Sequence, residues 1–519
     1  MTFASTAPSR DASPTSTSTS IARVSRGIVA AVAGVFAVAI VLRFVAFAEL
    51  WLDEALTVNI ASLPLGDLRA ALRRDGAPPL HYFLLGRWID LFGSSDAAVR
   101  ALSGVCSVAT LVPMWFVARR VGGVRLAWIA TVILASNPFA IRYATETRMY
   151  ALEMLLVTCG ILAAQRAWER PTLDRLGTVA LVAALLAYTQ YWTLYLLLVA
   201  GGTFAWLAWR GPSRATARRM LGALAVGGVA FLPWLPTFLY QAERTGTPWG
   251  APVLPGLPIG LTFLAFGGEY TQEGWLTMLL LVALTVVGVF GATSGRDVAL
   301  DLRSRPDIRR YAMFGGATLV VGTSLAYLGG TTFQPRYSAV VLPFFVLVVA
   351  RGIAVLPGPR IGVGALVVVV ALSLVGGVRS AVEERTQAGE IADVLHADAA
   401  TGDVVVFCPD QLGPAVHRLA PRGLDQMTYP ALEAPRLVDW VDYQDRLDAA
   451  DPGAVAERVL ERAAGTTVWL VRAAGYRTHE GTCEQLSDGI ASARARVARV
   501  EPGDLARREN MGLEEFPPR

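Results

Sequence analysis

The chain has 519 residues, 54% of them hydrophobic and 17% charged, with a mean hydropathy of +0.45. A chain this apolar cannot be a water-soluble globule, and a formal net charge of +4 points to no nucleic-acid partner. No nucleotide-phosphate loop, zinc-ligand spacing or Ser/His/Asp motif is visible, which leaves nothing to suggest an ATP-driven pump or a metalloprotease.

In chain order, residues 1–26 read as a disordered cytoplasmic tail, rich at first in Ser, Thr, Ala and Pro. Repeated apolar runs of about 18 to 22 residues follow, the length needed to cross a bilayer. They predict eleven spans, at 27–47, 97–118, 125–141, 149–166, 175–190, 192–209, 219–240, 275–293, 311–329, 338–356 and 360–378. The apolar piece at 254–267 fits the alternation only as an interfacial or re-entrant segment. Ala46-Phe47-Ala48 has the form of a signal-peptide cleavage site. The apolar stretch before it is too long for one and holds Arg43, so an uncleaved first span is expected.

With the N-terminus inside, the inner loops collect Arg23 and Arg26, then Arg119, Arg120 and Arg125, then Arg166, Arg170 and Arg175, then Arg210, Arg214, Arg218 and Arg219, then the arginines of 296–310. Nearly every inner loop meets the positive-inside rule, which makes this a multi-pass protein of the cell membrane. From residue 379 the charge rises and strand-length runs such as Asp403-Val404-Val405-Val406-Phe407 and Thr467-Val468-Trp469-Leu470-Val471 alternate with helical stretches. The expected organisation is thus a tail (1–26), a polytopic α-helical domain (27–378) and a small α/β extracytoplasmic domain (379–519). Cys408 and Cys483 both fall in the last, where oxidation can join them.

The first outer loop, 48–96, carries short amphipathic pieces at 63–72 and 80–91 that suit the interface plane. Asp53 and Glu54 stand side by side at its start, and two carboxylates at a membrane exit are costly to keep. Such a pair can take a proton from a hydroxyl or hold a divalent cation; the bland alternative is a solvated helix start. Five outer loops bring polar and aromatic groups to the same face: His81, Tyr82, Tyr143, Glu146, Tyr150, Gln190, Tyr191 and Tyr337 are the candidates for holding substrate or acceptor. Arg142, Arg148 and Arg336 run against the inside bias of basic residues. Guanidinium forks match the phosphate of a lipid-linked donor, the alternative being snorkelling anchors at the headgroup level. His81 can serve as a proton carrier or as a structural ring beside its aromatic neighbour.

Leu52-Asp53-Glu54-Ala55, Pro78-Pro79-Leu80-His81-Tyr82-Phe83-Leu84-Leu85, Leu91-Phe92-Gly93 with Ala98-Val99-Arg100, residues 143–152, and Arg336-Tyr337 before an apolar span occur in this order. Together they resemble bacterial glycosyltransferase family 39, with its protein mannosyltransferase and aminoarabinose transferase relatives, in the GT-C superfamily; the resemblance spans about 27–378. It implies transfer of a sugar from a polyprenyl-phosphate donor at the outer leaflet, with inversion, to an acceptor that is a protein, a lipid or a polysaccharide. It also implies that Asp53 is the base, that Glu54 orients base or acceptor or binds a cation, and that Arg148, in an Arg-x-Tyr pattern, and Arg336 hold the phosphate. Two departures stand out: many relatives have His before the Pro-Pro pair, where this chain has Ala77, and His-Tyr where it has Gln190-Tyr191. Both remove acceptor contacts or metal ligands, so no cofactor is certain. The alternatives are a ligase or polymerase moving a preassembled glycan from a lipid diphosphate, a transporter of lipid-linked sugars, and a non-catalytic envelope scaffold.

Overall fold

A computed structural model describes residues 26–269, 271–303, 307–473, 476–503 and 508–519, so that nearly all of the expected tail lies outside the described residues. The apolar runs are rich in Ala, Leu and Val, and they form helices whose few hydroxyls bond inward. Thr110, Thr131, Thr158 and Thr277 each donate to the carbonyl four residues back, which satisfies a polar group where water is absent.

The first helix, Arg26–Leu42, stops short of the expected end of its span. Arg43 is the reason: it is 1% exposed and donates to the carbonyls of Ala39 (2.7 Å), Leu134 (2.9 Å) and Ala135 (2.6 Å) and to Ser107 Oγ (2.9 Å). One guanidinium thus satisfies the unpaired carbonyls at the ends of two helices. The Asp96–Ser136 helix, 41 residues long, is interrupted at Gly122 and Gly123, the latter with φ +74°. Trp115 and Trp128 pack with ring centroids 4.7 Å apart. In a straight helix thirteen residues would separate them by about 20 Å, so the chain folds back at the glycine pair into two antiparallel arms. The spans expected at 97–118 and 125–141 fall on these arms, the second arm ending at Asn137, whose side chain accepts from the Ala140 N–H and starts the short Pro138–Ala144 helix.

Seven helices among the described residues are long and apolar enough to cross a membrane, or eight if Arg214–Phe231 and Leu235–Arg244, bent by 74°, form one span. The difference from eleven arises partly because Asp96–Ser136 holds two arms, and partly because the helices at two expected spans, Arg26–Leu42 and Leu173–Ala187, have only 17 and 15 residues. The 254–267 piece forms an 11-residue helix, Leu257–Gly267, which buries Phe266 against Phe139 and Phe345.

Beyond the Pro359–Val382 helix lies a five-stranded mixed sheet in the order Asp425–Thr428, Val404–Cys408, Val468–Arg472, Gly512–Phe516, Val497–Val500. The first three strands are parallel, and Gly512–Phe516 runs antiparallel to both of its neighbours. Val404–Cys408 is buried on both faces, which explains its unbroken apolar run. Cys408 and Cys483 are disulfide-bonded, tying this strand to the Thr482–Ala491 helix across 75 residues. Cys408→Ser is expected to lower the stability of the sheet domain by about 2–5 kcal/mol. A thermal scan showing the same unfolding temperature before and after reduction would contradict this.

The sheet domain sits directly on the loop helices that precede the 96–136 hairpin. Asn59 Nδ2 donates to the Arg436 carbonyl (2.8 Å), the Trp440 N–H to the Arg74 carbonyl (3.1 Å), and Arg418 pairs with Asp96 (2.9 Å). Arg385 reaches further, donating to the carbonyl (2.7 Å) and hydroxyl (2.8 Å) of Thr145.

Candidate active site

The Leu52–Ala61 helix and the C-terminal end of the Leu65–Asp75 helix, with the turn at 76–78 that leads into the Leu80–Phe92 helix, form one wall of a cavity of about 610 Å³ at the end of the helical bundle that carries the sheet domain. Asp53 lies in the first turn of Leu52–Ala61, where a negative charge suits the helix dipole. Its carboxylate lines the cavity and meets Arg336 Nη1 at 3.0 Å. Arg336 belongs to the 3₁₀ turn Pro335–Val341, and its guanidinium also stands near the rings of Trp51 and Trp249, each 5.8 Å away.

Arg148 lines the same cavity. Its Nη1 donates to Thr57 Oγ1 (2.8 Å) and Tyr82 OH (3.4 Å), and Thr57 in turn donates to the Asp53 carbonyl (2.6 Å). A chain of hydrogen bonds therefore sets Arg148 against the turn that carries Asp53. Tyr150, Gln190, Tyr191 and Tyr337 line the cavity as well. Tyr337 stacks on Trp192 at 5.4 Å, and Tyr191 OH accepts from Trp234 Nε1 (2.9 Å).

The other candidates from the sequence lie outside the cavity lining. Glu54 is fully buried, because adjacent residues on a helix point about 100° apart. It accepts from Arg100 Nε (2.8 Å) and Nη2 (2.7 Å) and from the Thr147 N–H (2.9 Å), with Arg385 Nη1 at 3.5 Å. Burial raises its pKa, but the Arg100 guanidinium outweighs it and holds the carboxyl well below the usual carboxylate range. With Asp53 facing Arg336 and Glu54 facing Arg100, the pair does not fit a shared cation, and no group of three or more His, Cys, Asp or Glu able to hold a metal occurs among the described residues.

Arg142 forms a buried ion pair with Glu146 at 2.8 Å and stands 4.0 Å from Glu383. Tyr143 packs between Phe139 and Tyr150, with centroids 4.5 and 4.9 Å away. His81 is 2% exposed, and burial together with the Arg148 charge pushes its pKa down to about 3. Both effects favour the neutral ring. Tyr82 is buried behind the wall, its hydroxyl touching the cavity groups Arg148 and Asp75.

Several lining groups have no signature in the sequence. Gln411, Trp440, Tyr476, Arg477, Arg508 and Asn510 come from the sheet domain, which closes the cavity opposite the helices. Among the lining residues, Arg148, Arg336, Arg477 and Arg508 face only two carboxylates, Asp53 and Asp75. Arg508 is engaged by Glu269, both of whose oxygens lie 3.1 Å away. The cavity thus combines an excess of positive charge, a carboxylate in contact with one arginine, and aromatic walls.

These features define a polytopic membrane protein with a polar, cation-rich cavity between its helical bundle and its sheet domain. Residues 76–240 match the family described as dolichyl-phosphate-mannose-protein mannosyltransferase; the match begins after Asp53 and ends before Arg336. No curated protein matches the chain. The crystal structure of ArnT from Cupriavidus metallidurans in the apo state aligns over 94% of this chain and 98% of its own, with 12% identity and a TM-score of 0.58. The same protein bound to undecaprenyl phosphate aligns over 95% and 98%, with 13% identity and a TM-score of 0.55. The chain has the ArnT fold and resembles the GT-C glycosyltransferases.

Proposed function

We propose that the protein is a membrane glycosyltransferase that takes a sugar from a polyprenyl-phosphate donor and passes it to an acceptor at the outer face of the cytoplasmic membrane. The observation that carries this reading is the contact between Asp53 and Arg336 in a cavity that also holds Arg148. The match of residues 76–240 to the mannosyltransferase family and the likeness in fold to ArnT, one of whose structures holds undecaprenyl phosphate, support it. The arginine distribution of the loops supports the outer placement.

In this reading the donor phosphate binds Arg336 and Arg148, and competition for Arg336 releases the Asp53 carboxylate. Asp53 then accepts the proton of the acceptor hydroxyl as its oxygen attacks the anomeric carbon from the face opposite the phosphate. The new C–O bond forms as the bond to the phosphate breaks, inverting the centre, and the arginines stabilise the charge on the departing phosphate. Glu54 acts one step away: by fixing Arg100 and the Thr147 amide it holds the helix that presents Asp53 against the loop that presents Arg148.

The test is transfer of label from a panel of radiolabelled polyprenyl-phosphate sugars into membranes containing the protein. Label above that of membranes without it names the sugar, and its absence for every donor would remove the monophosphate reading. The surplus of arginines in the cavity favours one second reading, a ligase acting on a lipid-diphosphate-linked glycan, which the same assay with a diphosphate donor distinguishes. Arg148→Ala is expected to weaken donor binding by about tenfold to a hundredfold, the worth of a charge-assisted hydrogen bond. Unchanged donor affinity in an equilibrium binding assay would make Arg148 a structural anchor of the Thr57 and Tyr82 hydroxyls.

A further inference from the structure

Asp75 is the second carboxylate of the cavity, and no motif announces it. It is the last residue of the Leu65–Asp75 helix, and Gly76 turns the chain there with φ +84°, in the left-handed region that favours glycine. A Cβ on Gly76 would stand 2.9 Å from Thr245 Oγ1, so the turn is also fixed by close approach. The two preceding residues, Arg73 and Arg74, supply the positive charge a helix C-terminus favours, but both are exposed and outside the cavity lining. Asp75 therefore places a negative charge at the negative end of a helix, inside a cavity. Burial pushes its carboxyl up from the ordinary range, and the nearby Asp53 adds to that, against the opposing pull of Arg148 and Tyr82.

Its surroundings do little to offset this cost. Tyr82 OH donates to Oδ2 at 2.6 Å, and among the described residues no Lys or Arg forms an ion pair with it. Arg336 is engaged by Asp53, and Arg148 by Thr57 and Tyr82. One residue back, the Arg74 carbonyl accepts from the Trp440 N–H at 3.1 Å, which brings the sheet domain beside Asp75. The Trp440 indole lines the cavity, backed by the Tyr443 ring 5.1 Å away. A carboxylate that accepts hydrogen bonds from adjacent hydroxyls, next to an aromatic face that covers C–H groups, matches the two sides of a pyranose ring.

We propose that Asp75 and Trp440 form a saccharide subsite of the cavity, with Asp75 accepting hydrogen bonds from ring hydroxyls and Trp440 covering a ring face. The proposal deepens the glycosyltransferase reading and rests on it for the choice between donor sugar and acceptor glycan. Saccharide recognition itself can be measured apart from that reading. The subsite spans two parts of the chain, one from the first loop and one from the sheet domain, so the sheet domain takes part in substrate selection.

The experiment uses the full-length protein in detergent and its D75N and W440A variants. Saturation-transfer NMR with a panel of methyl pyranosides is expected to show contact in the wild type for at least one sugar, with affinity about tenfold weaker in each variant. Binding of bare undecaprenyl phosphate is expected to be equal in all three proteins, which also shows that the variants are folded. No saccharide contact in the wild type, or equal contact in the variants, overturns the subsite. Equal loss of bare lipid phosphate overturns it too, because Asp75 would then be serving the arginine cluster. Two further arms locate the source: weaker binding of the sugar-bearing lipid assigns the subsite to the donor, and a raised KM for acceptor with unchanged donor binding assigns it to an acceptor glycan. Saccharide binding that depends on Asp75 in a protein that transfers no label from either a monophosphate or a diphosphate donor would remove the glycosyltransferase reading and leave the subsite standing.

Discussion

Asp53→Asn is expected to reduce sugar transfer by about 10²- to 10⁴-fold, the usual worth of a positioned general base. Asn has nearly the same shape, so the cavity wall and the Thr57 bond to the residue 53 carbonyl stay in place. What goes is the negative charge that meets Arg336 at 3.0 Å and the lone pairs that accept the proton. Since the counter-ion of Arg336 is removed, donor binding is expected to hold or tighten while turnover collapses. Single-turnover transfer and equilibrium donor binding, measured on the same preparation, separate the two effects. Near-normal turnover would show that the proton leaves by another group, and Asp75 would then be the next carboxylate to examine.

Glu54→Gln is expected to act on stability, by about 3–5 kcal/mol, because it leaves two buried guanidiniums without their counter-charge. Arg100 Nε and Nη2 both donate to the Glu54 carboxylate, and Arg385, at 0% exposure, approaches it at 3.5 Å. Gln keeps the shape but turns one acceptor oxygen into a donor facing donors. Because the Glu54 carboxyl is held below its ordinary range, its contribution is complete above about pH 5 and is lost as the pH falls through that range and below. Thermal unfolding in detergent should show E54Q melting lower than D53N at neutral pH. An E54Q protein that melts like the wild type yet fails to transfer sugar would return Glu54 to the catalytic role that the family resemblance suggests.

The adjacent pair Asp53-Glu54 shows how far the sequence could be read. Two acids at an expected membrane exit drew attention to this stretch of chain, but one residue of helical rotation sends one side chain to the cavity and the other into the packed interior. Arg148 and Arg336, both of which line the cavity, stood out because arginines in loops expected to be outer break the expected charge pattern. Arg142 is expected to break it too, yet its charge is met by Glu146, four residues on and just beyond the end of the Pro138–Ala144 helix. The polar loops stand out against so apolar a background, which is why Tyr150, Gln190, Tyr191 and Tyr337 could be found. Trp440, Tyr476, Arg477 and Asn510 could not, since nothing local to their segments says that the sheet folds back over the first loop. Asp75 was hidden differently: an Asp-Gly pair reads as an ordinary turn, and only the tertiary structure shows what lies in front of it.

The docking of the sheet domain also bears on how such chains can be recombined. Arg385 crosses into the bundle to reach Thr145 and Glu54, Thr386 bonds to Glu509, and Arg508 is gripped by Glu269. These partners come from segments scattered over the whole length of the chain. A chimaera joined near residue 383 would therefore take Arg385 and Arg508 from one parent and Glu54, Thr145 and Glu269 from the other, with Arg385 and Glu54 both buried where water cannot compensate a mismatch. The sheet domain looks like an appended cassette in the sequence, but it is transferable only together with the loop residues that its charges enter.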